Sequence, residues 1–310
     1  MNLAHLVNFE IQIAPLKLKQ CAKSKSTNNW AVIVDSSAFW YNYRHSANVL
    51  SIYSNIKRLG IPDSNIILFL AEDIACNSRN KYPGIFFSNT NLKEHYNNLY
   101  VDEIEVDYRG SEVSVDNFIR LLTDRQDLSL PRSKRLLSDK NSNILIYMTG
   151  HGGEDFLKFR DNADLSSQEF ADTVNHMYQL KRYNSILFII DTCHAESMFT
   201  KIYSPNVVSI ASSRRIEDSF SYSVDYDIGV YNIDRFSYHM NIFLENLTPE
   251  DSLEDLSRVC PTELCISTPV MASSSKISFK DIKVVDFFAS QRHIDLTESV
   301  FDLNKYDIFM

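Results

Sequence analysis

The stretch NSILFIIDTCHAESM, Asn184 to Met198, sets the fold. Its apolar run is branched and aromatic and carries no polar alternation, the pattern of a strand buried on both faces. The run stops abruptly at Asp191-Thr192-Cys193-His194. A second stretch has the same form: NSNILIYMTGHGG, Asn141 to Gly153, ends in Gly150-His151-Gly152-Gly153. One run delivers a thiol and the other an imidazole. Further buried runs are WAVIVD (Trp30 to Asp35), NIILFLA (Asn65 to Ala71) and NVVSIAS (Asn206 to Ser212).

Helical patterns separate these runs. SANVLSIYSNIKRLG places Val49, Leu50, Ile52, Tyr53, Ile56 and Leu59 at helical spacing and stops at Gly60 and Pro62. Ser114 can cap a helix through VDNFIRLLTD. SSQEFADTVNHMYQLKRY opens with a capping box, Ser166 and Glu169, and lines up Phe170, Val174, Met177 and Tyr178. DRFSYHMNIFLENL reads as one more helix. Strands alternating with helices imply an α/β fold, a mostly parallel sheet with helices on both faces. Ligands of such sheets gather beyond the carboxyl ends of the strands, where His151 and Cys193 both fall. Paired strands lie roughly 4.8 Å apart, so adjacent placement would bring the two groups within reach.

The bulk numbers narrow the function. The chain has 310 residues, 44% of them hydrophobic, enough for a large core. A net charge of -9 argues against nucleic-acid or anionic-membrane binding, which needs a basic face. Only 7 glycines occur, and three of them fall within Gly150 to Gly153. The cysteines are Cys21, Cys76, Cys193, Cys260 and Cys265, too few for a disulfide-built fold. Cys260 and Cys265 are close enough to pair in an oxidising compartment. The opening MNLAHLVNFEIQIAPLKLKQ makes a poor signal peptide. No run approaches the ~18 apolar residues of a membrane helix.

A cysteine attacks carbonyl carbon as thiolate, and an imidazole can take its proton and later protonate a leaving amine. Acyl transfer also needs donors for the developing oxyanion; the N–H groups of Gly152 and Cys193 are the candidates. Taken singly, a strand-end Cys is more often a small core residue and a lone His a structural one. His194 competes as partner of Cys193, but adjacent residues in an extended chain point to opposite sides. A metal site of His151, Cys193 and His194 would lack a fourth ligand.

Three segments change these odds. Asn28 to Ile66, with WYNYRH inside it, Pro131 to Gly153 and Tyr183 to Phe199 closely resemble the family of GPI-anchor transamidase catalytic subunits, within the legumain-like, caspase-fold cysteine peptidases. The resemblance spans roughly residues 28–290 in order and spacing. It implies a caspase-like sheet of about six strands, and the chain divides into 1–28, which reads as a weakly ordered leader, 29–248 as the catalytic domain and 249–310 as a C-terminal extension packing on or trailing from it. It implies Cys193 as nucleophile, His151 as its partner and Asn42 as the group that orients the imidazole. The implied reaction cleaves a precursor protein's C-terminal GPI signal, leaves a thioester and passes the acyl group to the ethanolamine amine of a GPI glycolipid. No cofactor enters the chemistry. A structural calcium is implied near Asp63, the Ile66 carbonyl, Glu105 and Asp107, a disulfide between Cys260 and Cys265, and a bridge from Cys76 to another subunit of a transamidase complex. Arg44 and His45 are expected to shape the site. The family implies the lumenal side of the endoplasmic reticulum, though neither the opening nor the polar ending DLTESVFDLNKYDIFM carries a targeting or anchoring signal. His194 departs from the family, which usually has Gln there. Shared motifs leave a legumain-like endopeptidase as the alternative, and a non-catalytic scaffold as a third reading.

Overall fold

In the computed structural model, residues 28–88, 98–100, 104–276 and 278–290 are described. Residues 1–27 of the expected leader, Cys21 among them, lie outside them, as do residues 291–310. Five parallel strands form the centre: β1 (Asn29–Asp35), β2 (Ile66–Leu70), β4 (Asn143–Thr149), β8 (Ser185–Asp191) and β9 (Val207–Ala211). Two more complete the sheet at its edges, β3 (Tyr108–Arg109) parallel to β2 and β12 (Val270–Ser273) antiparallel to β9. The order is β12-β9-β8-β4-β1-β2-β3, so the mostly parallel α/β sheet has seven strands, where about six were expected.

Alternation along the strands feeds two cores. Ile33, Leu145, Tyr147, Leu187 and Ile189 pack against α1 (Tyr43–Arg58) and α4 (Arg235–Glu245). Val32, Val34, Ile144, Ile146, Phe188 and Ile190 face α2 (Val115–Leu122) and α3 (Ser167–Gln179). Helices therefore cover both faces, as buried parallel strands require. The α3 capping box forms, Glu169 N–H donating to Ser166 Oγ at 3.2 Å. Phe170, Val174 and Met177 are buried, whereas Tyr178 is 46% exposed. Phe170, Val174 and Met177 fill the stripe at spacings of four and three, and the next residue turns about 100° away.

Two small antiparallel units sit beyond the strand ends. One joins β5 (Gly152–Gly153), β6 (Phe156–Phe159) and β7 (Ala163–Ser166); the other pairs β10 (Ser221–Asp225) with β11 (Val230–Asp234). Residues past 248 add β12 to the sheet edge, the short helices α5 (Leu253–Ser257) and α6 (Thr262–Cys265), and α7 (Val285–Phe288). Asn29 Nδ2 ties that region to β1, donating to the carbonyls of Asp286 (2.8 Å) and Ala289 (2.6 Å).

Candidate active site

β4 and β8 are neighbours, and their register pairs Thr149 with Asp191. His151 and Cys193 each lie two residues past that pair. The sheet thus delivers imidazole and thiol side by side, and both line one cleft with Arg44, His45, Gly150, Asp191, Thr192, Ser219 and Asp234. Its enclosed volume is only about 20 Å³, room for little more than a water.

Asn42 ends a 3-10 turn, Trp40–Asn42, that leads from β1 into α1. Trp40 and Tyr43 anchor the turn, their rings edge to face at 5.5 Å, and Tyr43 stacks on Phe86 at 4.1 Å. The Asn42 amide donates to the Ala38 carbonyl at 2.6 Å, which turns its Oδ1 toward His151 Nε2, 2.8 Å away. Oδ1 can only accept, so His151 carries its proton on Nε2 and keeps Nδ1 as the base. His45 stands behind, its ring edge to face with His151 at 5.0 Å. Burial, with Arg44 and His151 nearby, holds the His45 imidazole well below its usual range.

The thiol of Cys193 is partly buried and points its S–H at the Ser219 carbonyl, 3.9 Å away. Burial pushes its pKa up, and the Asp218 carboxylate adds to the rise. Burial and then Arg44 push His151 down. Free of substrate, the pair therefore rests as neutral thiol and neutral imidazole. Around it the chain uses up its N–H groups: Thr192 donates to Ser212 Oγ, His194 to the Glu217 carbonyl and Ala195 to Ser213 Oγ. The Cys193 N–H alone in this run has no acceptor among the described residues. Gly152 comes close by necessity, since a Cβ there would stand 2.6 Å from Thr192 Oγ1.

His194 lies in the left-handed region, φ 54°, so the chain is not extended at this point. Its Nδ1 is 2.6 Å from the Arg215 carbonyl and its Nε2 3.8 Å from Asp218, so the ring holds the loop over the thiol. Sequence reading missed three buried carboxylates under the site. Asp35 accepts from Ser37 N–H and Ser46 Oγ, Asp191 from Ser219 and Ser237 hydroxyls, and Asp234 from Asn48 and Arg44. Burial raises all three, Asp35 and Asp234 to about 7. The signal was present: WAVIVD, SILFIID and VYNID each end in Asp.

The expected calcium donors lie close together but form no cage. Asp63 gives one oxygen to the Tyr53 hydroxyl (2.5 Å) and the other to Lys57 (3.0 Å), and Asp107 accepts the Leu68 N–H. Glu105 meets the same Tyr53 hydroxyl through its N–H, and Ile66 opens β2 alongside. Among the described residues, no three His, Cys, Asp or Glu side chains are placed to hold a metal ion, His151, Cys193 and His194 included. Cys260 and Cys265 are bonded, with Cα atoms 5.5 Å apart, and Cys76 is a free, exposed thiol.

Comparison with known proteins gives the family. The sequence profile described as the peptidase C13 family matches residues 29–257. The chain belongs to the peptidase C13 family. Its relatives include a GPI-anchor transamidase of Mus musculus, 50% identical over 90% of this chain and 71% of that one. A GPI-anchor transamidase of Saccharomyces cerevisiae is 52% identical over 87% of this chain and 66% of its own length. A putative GPI-anchor transamidase of Drosophila melanogaster is 55% identical over 79% and 69%. Among solved structures, caspase-1 of Spodoptera frugiperda aligns with a TM-score of 0.47 and 10% identity, over 88% of this chain and 94% of that one. Within this peptidase C13 chain, no helix of the described residues is long and apolar enough to cross a membrane.

Proposed function

We propose that this chain is the catalytic subunit of a GPI-anchor transamidase, and that Cys193 and His151 do its chemistry. The observation that carries the reading is the register of β4 and β8, which sets the Asn42-held imidazole beside the thiol in a chain half-identical to relatives of that name. His151 Nδ1 takes the Cys193 proton as Sγ bonds to the carbonyl carbon of the attachment site. The oxygen of the tetrahedral intermediate meets the unspent Cys193 N–H, with Gly152 beside it. His151 then returns the proton to the leaving amine, the C–N bond breaks, and a thioester remains. The acceptor's primary amine, losing a proton to His151, attacks that thioester. A new C–N bond forms, the C–S bond breaks, and Sγ recovers the proton.

Water in place of the amine would give hydrolysis by the same site, which is the endopeptidase reading; its support is the peptidase description of the family. Peptide cleavage by the isolated chain, faster than transfer, would favour it. As partners we propose further subunits of a transamidase complex, with the exposed Cys76 as the bridging thiol, on the lumenal side of the endoplasmic reticulum. A structural calcium near Asp63, the Ile66 carbonyl, Glu105 and Asp107 would have to displace the Lys57 and Tyr53 contacts of Asp63.

The deciding experiment uses cells depleted of their own transamidase catalytic subunit and carrying a GPI-anchored surface reporter. Rescue by this chain and not by Cys193→Ala at matched level is the expected result. Equal rescue by both would remove the nucleophile.

A further inference from the structure

A cavity lies beyond the ends of β2 and β3. It encloses about 390 Å³ and is lined by Glu72, Asp73, Tyr100, Arg109 and Arg160, among others. Arg160 does double service. It also lines the cleft in front of His151 and Asn42, together with Lys158 and Asp161. The cavity and the catalytic imidazole are therefore joined through one side chain.

Arg160 is held there at a cost. It and Asp161 both carry positive φ, 49° and 60°, at the tip of the β6–β7 hairpin, where Asn and Gly are the residues that suit such turns. The Ser36 carbonyl accepts its N–H at 2.8 Å and fixes the tip against the end of β1. Its Nε is buried with no acceptor. Among the described residues neither Arg109 nor Arg160 forms an ion pair; Arg109 Nε reaches only the Val106 carbonyl, at 3.4 Å. Two unpaired guanidinium groups in one cavity, one with a buried donor unspent, call for an anion with several acceptor oxygens.

The two carboxylates narrow the class. Glu72 is partly engaged by the Phe39 N–H (3.2 Å) and Asp73 by the Cys76 N–H (3.2 Å), and both carboxyl groups line the cavity wall. A dianionic phosphate would meet repulsion from them. A phosphodiester, with a single negative charge, meets less of it.

We propose that this cavity is the acceptor subsite, in which Arg109 and Arg160 hold the phosphodiester that neighbours the attacking amine. The assignment rests on the transamidase reading and adds to it the group by which the acceptor is recognised. With the phosphate on Arg160, the amine two carbons away points into the cleft beside His151, which takes its proton. Water has no such handle, so the subsite favours transfer over hydrolysis.

The test compares two acceptors in membranes of cells expressing the full chain with its native partner subunits. One is hydrazine, which has no phosphate; the other is a water-soluble ethanolamine phosphodiester. Inorganic phosphate serves as competitor. Arg160→Gln should raise the acceptor KM for the phosphodiester by about 10-fold or more relative to its effect on hydrazine, the loss expected of a charged hydrogen-bonded pair. Arg160→Lys should restore part of it. Arg109→Gln, on a different element, should show the same selectivity and guards against a folding defect at the hairpin. Inorganic phosphate should compete weakly. Equal losses with both acceptors in both variants, or no change in the phosphodiester KM, would overturn the assignment while leaving the transamidase reading intact. No product from either acceptor with the unaltered chain would overturn that reading and the assignment with it.

Discussion

At the scale of single residues, the site is a problem of orientation. Among the described residues only Asn42 Oδ1 holds His151 Nε2, and Asn42 is itself aimed by the Ala38 carbonyl. Asn42→Ala would free the ring to turn and to exchange tautomers. We expect kcat to fall roughly 10²-fold, the lower end of what a positioned acid–base group supplies, with KM little changed. Steady-state kinetics of transfer check this, and a loss confined to KM would refute the orienting role. The protonation states give a second prediction. Burial holds the thiol above its ordinary value of 9.0 and the imidazole below 6.5. In the free protein, alkylation of Cys193 by iodoacetamide should thus climb with a midpoint above 9.0, with no plateau near neutral pH. A plateau at pH 5–7 would instead reveal a thiolate–imidazolium pair, on the general chemistry of activated cysteines. Activity should fall as pH drops through the lowered pKa of His151. The two groups titrate together once substrate bridges them, so the limbs of that profile belong to the pair.

At the scale of elements, the approach of the strand ends depends on small residues. A Cβ on Gly150 would stand 2.0 Å from Ser36 Oγ, and that hydroxyl already bridges the carbonyls of Thr149 and Lys158. Gly150→Ala must displace Ser36 Oγ from those carbonyls, next to His151. We expect a loss of about 1–3 kcal/mol in stability, as for overpacked cores, and a larger proportional loss of activity. Denaturant unfolding beside a transfer assay measures both. Ser36→Ala should recover part of the stability, and the idea fails if it recovers none. The central strands and the four long helices were legible because each carries its own period, continuous for a strand buried on both faces and 3.6 for a helix. The pairing of His151 with Cys193 was legible because both runs end in polar chemistry at the favoured end of the sheet. The two-residue β3 was not, since two residues have no period. Nor was β12, whose residues Val270 to Ser273 read as tail until β9 offers them an edge. The extended chain assumed at His194 fails for a local reason: the left-handed turn after Cys193 swings its ring into the loop over the thiol.

At the scale of the whole molecule, the cost of building this site is stored in buried carboxyl groups. Asp35 and Asp234 are pushed to about 7 from an ordinary 3.8, chiefly by burial, and Asp107 likewise at the far edge of the sheet. Between those values the native state keeps protons that the unfolded chain has shed. The stability these groups contribute is therefore full below their unfolded pKa and is lost as pH rises through about 7. Carboxylates held low, such as Asp139, Asp155 and Glu217, act on the other side, losing their contribution only as pH falls below the ordinary range. Between those regimes the buried set governs the slope. We expect the melting temperature to be higher at pH 5.5 than at pH 8, opposite to the trend of a protein whose carboxylates are all paired. Asp35→Asn removes one titrating group and keeps an acceptor for the Ser37 N–H, while its new amide N–H can donate to Ser46 Oγ once that hydroxyl turns round. The substitution should flatten the pH dependence, and thermal scans of both forms across that interval measure it. An unchanged slope in Asp35→Asn would mean that Asp35 stays ionised in the fold. The aspartates that close the strand runs would then be charged supports of the site, balanced by Arg44, and the sheet would hold its catalytic end in place by ion pairing.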